Sequence, residues 1–345
     1  MTVGILFVAL GTLALSFVLV GAVRRIALNQ NLLDLPNERS SHVTATPRGG
    51  GAGIVVSLVL AMGVLWAIGL LSGWIWTVLM LSGGAIAVVG YLDDRHQLNA
   101  ISRFIVHVSA AIFFVVALGG YPATELDKWG LPAGGSSAFS VLALVWGTNL
   151  FNFMDGIDGI AASESVFITA AAGTLNLMNR GDPGLTAVLF SLSAASLGFL
   201  FWNWPPARIF MGDVGSGFLG FIISACLMTT SLHGTLPIEV LPILGGVFVV
   251  DATTTLIRRV LQGDRWLEPH RTHAYQRMAR RLGRHRPVTL MVVVINVMWL
   301  FPWAFATTRF PDSGRFCVAA ALLPLAIVSI FVGAGRPEAE AQRGQ

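Results

Sequence analysis

Carboxylates, amides and glycines recur in short blocks along this chain, and four of those blocks could carry chemistry. The first is Gly90-Tyr91-Leu92-Asp93-Asp94-Arg95-His96-Gln97-Leu98, with Arg103 following. Two adjacent carboxylates repel each other and are tolerated where a cation or a proton-transfer role compensates. The second runs Asn149-Leu150-Phe151-Asn152-Phe153-Met154-Asp155-Gly156-Ile157-Asp158-Gly159. Its polar residues recur every three positions, so on a helix Asn152, Asp155 and Asp158 share a broad face. Such groups at the end of an apolar segment are costly unless they bind something.

The third block is Phe210-Met211-Gly212-Asp213-Val214-Gly215-Ser216-Gly217-Phe218-Leu219-Gly220. Backbone amides of a glycine-rich turn that opens a helix can face phosphate, and Asp213 can hold a hard metal ion. The blander reading of these glycines is close helix packing. The fourth is Glu268-Pro269-His270-Arg271-Thr272-His273-Ala274-Tyr275-Gln276-Arg277, whose Arg and His density fits a pyrophosphate clamp. A basic loop also fits anionic lipid, and Arg280, Arg281, Arg284 and Arg286 fit that alternative better. A zinc site at His270 and His273 lacks further ligands at suitable spacing. Outside the blocks, Glu164 and Asp251 are placed near the same face, and His107 is expected to make a structural polar contact.

The elements that position these blocks follow from hydropathy. Of 345 residues, 54% are hydrophobic and 12% charged, too little polar surface for a soluble protein of this size. Windows of about 20 apolar residues predict eleven spans, near 3–23, 50–71, 74–92, 101–119, 138–154, 160–177, 185–203, 215–232, 237–255, 289–306 and 315–334. The fold expected is an all-α polytopic membrane protein with about eleven transmembrane helices and cytoplasmic active-site loops. Residues 1–335 are expected to form one integral-membrane domain and 336–345 a short cytoplasmic tail. The first run precedes Arg24 and Arg25 and reads as an uncleaved span. Cys226 and Cys317 lie in apolar runs, which leaves no disulfide framework.

With the N-terminus outside, 18 of the 22 Lys and Arg residues fall in cytoplasmic segments, as the positive-inside rule requires. The net charge of +4 is therefore a topology signal, and no soluble basic domain is present to hold nucleic acid. All four blocks fall on that same side. A transporter or flippase would place its ionisable groups near mid-membrane. An intramembrane aspartyl protease would need Asp93 and Asp213 facing each other without a metal.

In this order the blocks resemble the polyprenyl-phosphate N-acetylhexosamine-1-phosphate transferases. The resemblance covers roughly residues 1–300. It rests on Asp34-x-Pro36 with Arg39 and His42, Asp93-Asp94-x-x-x-Leu98, Asn149-x-x-Asn152-x-x-Asp155-Gly156-x-Asp158-Gly159 and Phe210-x-Gly212-Asp213-x-Gly215-Ser216. Two departures stand out. Arg103 takes a place where the family often has Lys, and His270 to His273 replaces the run of adjacent histidines found in the peptidoglycan enzyme. The latter looks more like the O-antigen-initiating branch.

The resemblance implies transfer of N-acetylhexosamine-1-phosphate from a UDP-sugar to undecaprenyl phosphate at the inner membrane, with UMP released and a cell-envelope polysaccharide begun. The implied cofactor is Mg2+, with Mn2+ as a substitute. Asp213 becomes the magnesium ligand, supported by Asp94, and Asp93 the base or phosphate-orienting residue. Asn149, Asn152, Asp155 and Asp158 position nucleotide and metal. Phe210 stacks on uracil, while His270, Arg271 and His273 contact pyrophosphate or sugar. Arg39, Arg48 and Arg103 hold the lipid phosphate. The partners implied are these two substrates and the bilayer, with a homodimer left open.

Overall fold

A computed structural model describes residues 2–34, 44–121, 130, 135–264 and 270–337. Arg39, Pro36 and His42 lie outside them. Helices α1 (Thr2–Asn29), α2 (Gly51–Ala67), α3 (Gly73–His96), α4 (Ala100–Ala117), α5 (Gly135–Met154), α6 (Ile160–Met178), α7 (Pro183–Asn203) and α8 (Asp213–Leu232) follow one another. Then come α9 (Val240–Leu244), α10 (Gly246–Leu261), α11 (Ala274–Leu282), α12 (Arg286–Ile295), a π-helical turn (Asn296–Leu300), α13 (Phe301–Arg309) and α14 (Gly314–Val332). Among the described residues the only strands are the two-residue pair Leu33–Asp34 and Thr46–Pro47.

Nine helical segments of the described residues are long and apolar enough to cross a membrane. The other two expected spans are α2, which has 17 residues, and the segment broken at Gly245 into α9 and α10. Expected boundaries shift at the inner face. Asp93 and Asp94 belong to the last turn of α3 rather than to a loop, because the polar turn still has helical partners although its hydropathy has fallen. Helix α10 runs on to Leu261 and takes Arg258 and Arg259 with it.

Helix α8 is the centre of the bundle, and every residue from Val214 to Ser231 is buried. It packs against α3, α5 and α2, while α7 packs against α1, α6 and α2. The glycines of the third block make this possible. A Cβ on Gly51 would lie 2.3 Å from Gly215 Cα, and one on Gly220 would lie 2.2 Å from Gly147 O. Small residues let helix backbones approach where lipid gives no hydrophobic drive between them. Helices α1, α4 and α14 expose large apolar residues such as Phe7, Val116 and Phe331, as lipid-facing helices do.

Candidate active site

Neighbouring helical residues point about 100° apart, so Asp93 and Asp94 serve different partners. Asp94 Oδ1 accepts the amide of Asp213 at 3.0 Å, and Oδ2 accepts that of Val214 at 3.1 Å. Arg48 Nη2 donates to Oδ1 at 2.8 Å. The first amides of a helix have no intrahelical acceptor, and here a carboxylate from α3 satisfies those of α8. Gly212 makes room for it with φ +76°, and a Cβ there would lie 2.5 Å from Asp94 Oδ2. Both oxygens of Asp94 accept hydrogen bonds, which gives it a positioning contact with the start of α8.

Asp93 accepts the Leu98 amide at 2.6 Å. Its other oxygen accepts Arg103 Nη1 at 2.5 Å, and the same nitrogen donates to Asp213 Oδ2 at 2.8 Å. One guanidinium thus joins the carboxylates of α3 and α8. The Arg that replaces the expected Lys stands at the middle of the site.

The second block divides. Helix α5 ends at Met154, so Asn152, Asp155 and Asp158 do not share a helical face. Asn149 turns back to donate to Val145 O at 2.7 Å. Asn152 Nδ2 donates to Ser216 Oγ at 3.2 Å and reaches the start of α8. Asp158 accepts the Ala207 amide at 3.0 Å and lies 3.2 Å from His285 Nδ1, while Thr289 donates to its carbonyl. It therefore ties the loop to α12. Asp155 differs from all of these. Burial pushes its carboxyl well above the usual carboxylate range, and the nearby charges of Asp213, Asp94 and Asp158 push in the same direction.

Phe210 is half-buried on the strip that precedes Asp213. Its amide donates to Pro47 O, and its carbonyl accepts from Gly50 N, so this strip is pinned to the start of α2 beside Arg48. In the fourth block His273 is buried, with Nδ1 3.4 Å from Asp251 Oδ1. Its ring stacks with those of His270 and Phe153, at centroid distances of 4.9 and 6.5 Å. Burial, with help from His273 and Arg259, lowers the His270 imidazole to about 3, so it is a neutral ring at pH 7. Arg271 is half-buried, and its carbonyl accepts Arg280 Nη2 at 3.0 Å. Gly335 N donates to Thr272 O at 2.9 Å and ties the end of α14 to this segment.

Sequence reasoning placed Glu164 near the site, but it pairs with Asn296 Nδ2 at 2.5 Å in the π-helical turn. The His107 Nδ1 atom is buried without a hydrogen-bond partner, so this nitrogen makes no structural polar contact. The partners Ser216 and His285 were missed, as was Asn203, whose Oδ1 accepts the Gly159 amide at 2.9 Å, because an isolated Asn, Ser or His gives no spacing signal before its neighbours are known.

No three His, Cys, Asp or Glu groups of the described residues stand close enough to form a ready metal site. The donors present nonetheless fit a hard cation. Asp155 lies near enough to Asp213, Asp94 and Asp158 for their charges to raise its carboxyl, and carboxylate oxygens of this kind suit Mg2+. Asp155 and Asp213 would hold it.

The model of glycosyl transferase family 4 matches residues 76–231. The chain is 33% identical to a probable undecaprenyl-phosphate N-acetylglucosaminyl 1-phosphate transferase of Bacillus subtilis, over 80% of this chain and 78% of that one. It is 29% identical to a decaprenyl-phosphate N-acetylglucosaminephosphotransferase of Mycolicibacterium smegmatis, over 94% and 86%. A phospho-N-acetylmuramoyl-pentapeptide-transferase of Geobacillus kaustophilus is 31% identical, over 72% and 79%.

Proposed function

The chain belongs to glycosyl transferase family 4, the polyprenyl-phosphate N-acetylhexosamine-1-phosphate transferases, and we propose that it transfers N-acetylhexosamine-1-phosphate from a UDP-sugar to undecaprenyl phosphate. A phosphate oxygen of the lipid attacks the β-phosphorus of the donor. The new P–O bond forms as the bond to the α-phosphate bridging oxygen breaks, and UMP leaves. The product is a polyprenyl-pyrophosphoryl sugar that begins O-antigen or another envelope polysaccharide. N-acetylglucosamine is the sugar in the names of the Bacillus and Mycolicibacterium relatives, which makes it the first donor to try.

The observation that carries this reading is the Asp93–Arg103–Asp213 bridge beside the Asp155 carboxyl, which burial and its acidic neighbours raise. Phosphoryl transfer asks for positioning and charge neutralisation more than for covalent chemistry. Arg103 supplies positive charge at the centre, and Arg48 supplies it at the rim. Asp93 orients the attacking phosphate, which is already largely ionised at pH 7. A magnesium ion held by Asp155 and Asp213, when bound, would offset charge on the diphosphate. Asn152 and Phe210 contribute to the nucleotide pocket, and Arg271, His270 and His273 line the side toward the sugar and pyrophosphate. The arginine distribution supports an inner-membrane protein with this site on the cytoplasmic side and the N-terminus outside.

The protease reading shares one feature, the approach of Asp93 and Asp213. Arg103 Nη1 donates to both groups, and the relatives named as sugar-phosphate transferases favour the transfer reading.

The test is a membrane assay with undecaprenyl phosphate, magnesium and a panel of radiolabelled UDP-N-acetylhexosamines, with and without EDTA. The expected result is metal-dependent label in the lipid phase together with released UMP. No transfer from any donor by a folded preparation would overturn the proposal.

A further inference from the structure

Two buried groups at the inner face have no part in the chemistry above. Asp251 lies within α10 and is buried, where a carboxylate without partners would be strongly destabilising. Its oxygens accept the amides of Ala274 at 2.8 Å and Tyr275 at 2.9 Å, the first two residues of α11. Thr255 Oγ1 also lies 3.2 Å from it. These amides have no acceptor within their own helix, and negative charge there meets the positive end of the helix dipole. Asp251 therefore fixes where α11 starts and how Tyr275 is turned.

Tyr275 is buried as well, and its hydroxyl touches the turn that carries Asp155. It donates to Phe153 O at 3.0 Å, a carbonyl in the last turn of α5. The backbone of Gly156 also lies against this hydroxyl. Phe153 and Gly156 flank Asp155 on either side. The fit depends on glycine, since a Cβ at position 156 would lie 2.2 Å from Tyr275 Oη.

We propose that Asp251 and Tyr275 are positioning residues for Asp155: the carboxylate sets α11, and the phenol of α11 clamps the turn from which Asp155 faces the site. Burial raises the ionisation of the phenol well above its usual range, so it stays a hydrogen-bond donor at working pH. The proposal rests on the transferase reading, in which Asp155 handles nucleotide and metal.

Tyr275→Phe removes one hydroxyl and keeps the ring. In the full-length protein kcat is expected to fall about tenfold, which corresponds to leaving the Phe153 carbonyl without this donor. The KM for undecaprenyl phosphate should stay within about twofold, because the acceptor side is untouched. Asp251→Asn should lower kcat similarly, and Asp251→Glu should recover part of the loss. The deciding readout is a double-mutant cycle with Asp155→Asn. If the phenol acts through Asp155, adding Tyr275→Phe to Asp155→Asn changes the rate by less than about twofold. Losses that multiply would overturn the proposal. Should Asp155→Asn turn over too slowly to measure, the cycle is read on equilibrium binding of labelled UDP-N-acetylglucosamine, with the same two outcomes. Absence of transfer by the unaltered chain would count against the transferase reading, whereas multiplying losses in an active protein count against the clamp alone.

Discussion

The carboxylate of Asp94 accepts the backbone amide of Asp213 at 3.0 Å, so the residue that opens the central helix is held by the end of α3. This separates two acidic residues that look alike in sequence. Asp94 works on the backbone of Asp213, and the side chain of Asp213 faces Arg103.

Asp94→Ala should therefore lower both turnover and stability. It leaves two helix-end amides and Arg48 without their acceptor, a loss of about 1–3 kcal/mol. Asp213→Asn keeps the amide and its cap, so turnover should collapse while the melting temperature stays level. Thermal unfolding of the purified protein in detergent, beside the transfer assay, checks the pair. An Asp94→Ala protein that melts like the unaltered one would remove the capping role.

Asp155 predicts a pH and metal effect. Its folded value lies well above an unfolded value of about 3.9, first because of burial and then because of neighbouring carboxylates. The protonated form is thus favoured by the fold. Its contribution to stability is complete below the unfolded value and is lost as pH rises toward the folded one. At pH 7 the metal-free protein carries this penalty, and a bound cation relieves it. Asp155→Asn should raise the metal-free melting temperature at pH 7 and shrink the increment produced by magnesium. An unchanged magnesium increment would take Asp155 out of the cation site.

Packing of α2 on α8 gives a test that involves no charge. A Cβ on Gly51 would meet the backbone of Gly215, and Gly51 N also donates to Met211 O at 2.8 Å in the strip before Asp213. Gly51→Ala should destabilise by about 1–3 kcal/mol and lower turnover with it, since the strip carries Phe210 and Asp213. Gly63 lies on the same helix, and a Cβ added there would meet nothing within 4 Å. Gly63→Ala should be neutral or stabilising, by up to about 1 kcal/mol. Equal melting temperatures for the two variants would contradict the close approach.

The helices and the side of the bundle that holds the site were legible in the sequence because both depend on local composition. Apolar runs mark the spans, and the positions of Asp93, Asp155 and Asp213 at their ends mark one face. What was not legible depends on partners far away in the chain. Hydropathy falls at Leu92 although α3 continues to His96, because helical bonds and tertiary partners support the polar turn. The three-residue spacing of Asn152, Asp155 and Asp158 suggested a shared helical face, but Gly156 and Gly159 let the chain leave the helix after Met154. Nothing near Asp251 in sequence reveals that it caps a helix more than twenty positions later.

The orientation is testable with single cysteines. The two native cysteines, Cys226 and Cys317, are both buried, so a membrane-impermeant thiol reagent finds no accessible native target. Arg284 and Asp312 are exposed at opposite ends of the α12 to α13 span. The arginine-rich segment that contains Arg284 should face the cytoplasm, because translocating its charges is disfavoured. Asp312→Cys should then be labelled in intact cells, and Arg284→Cys only after the inner membrane is opened. Both variants should keep transfer activity, since neither side chain touches the site. The opposite labelling pattern would put the carboxylates of Asp93 and Asp213 outside, away from any cytoplasmic nucleotide sugar, and would undo the proposed reaction along with the topology.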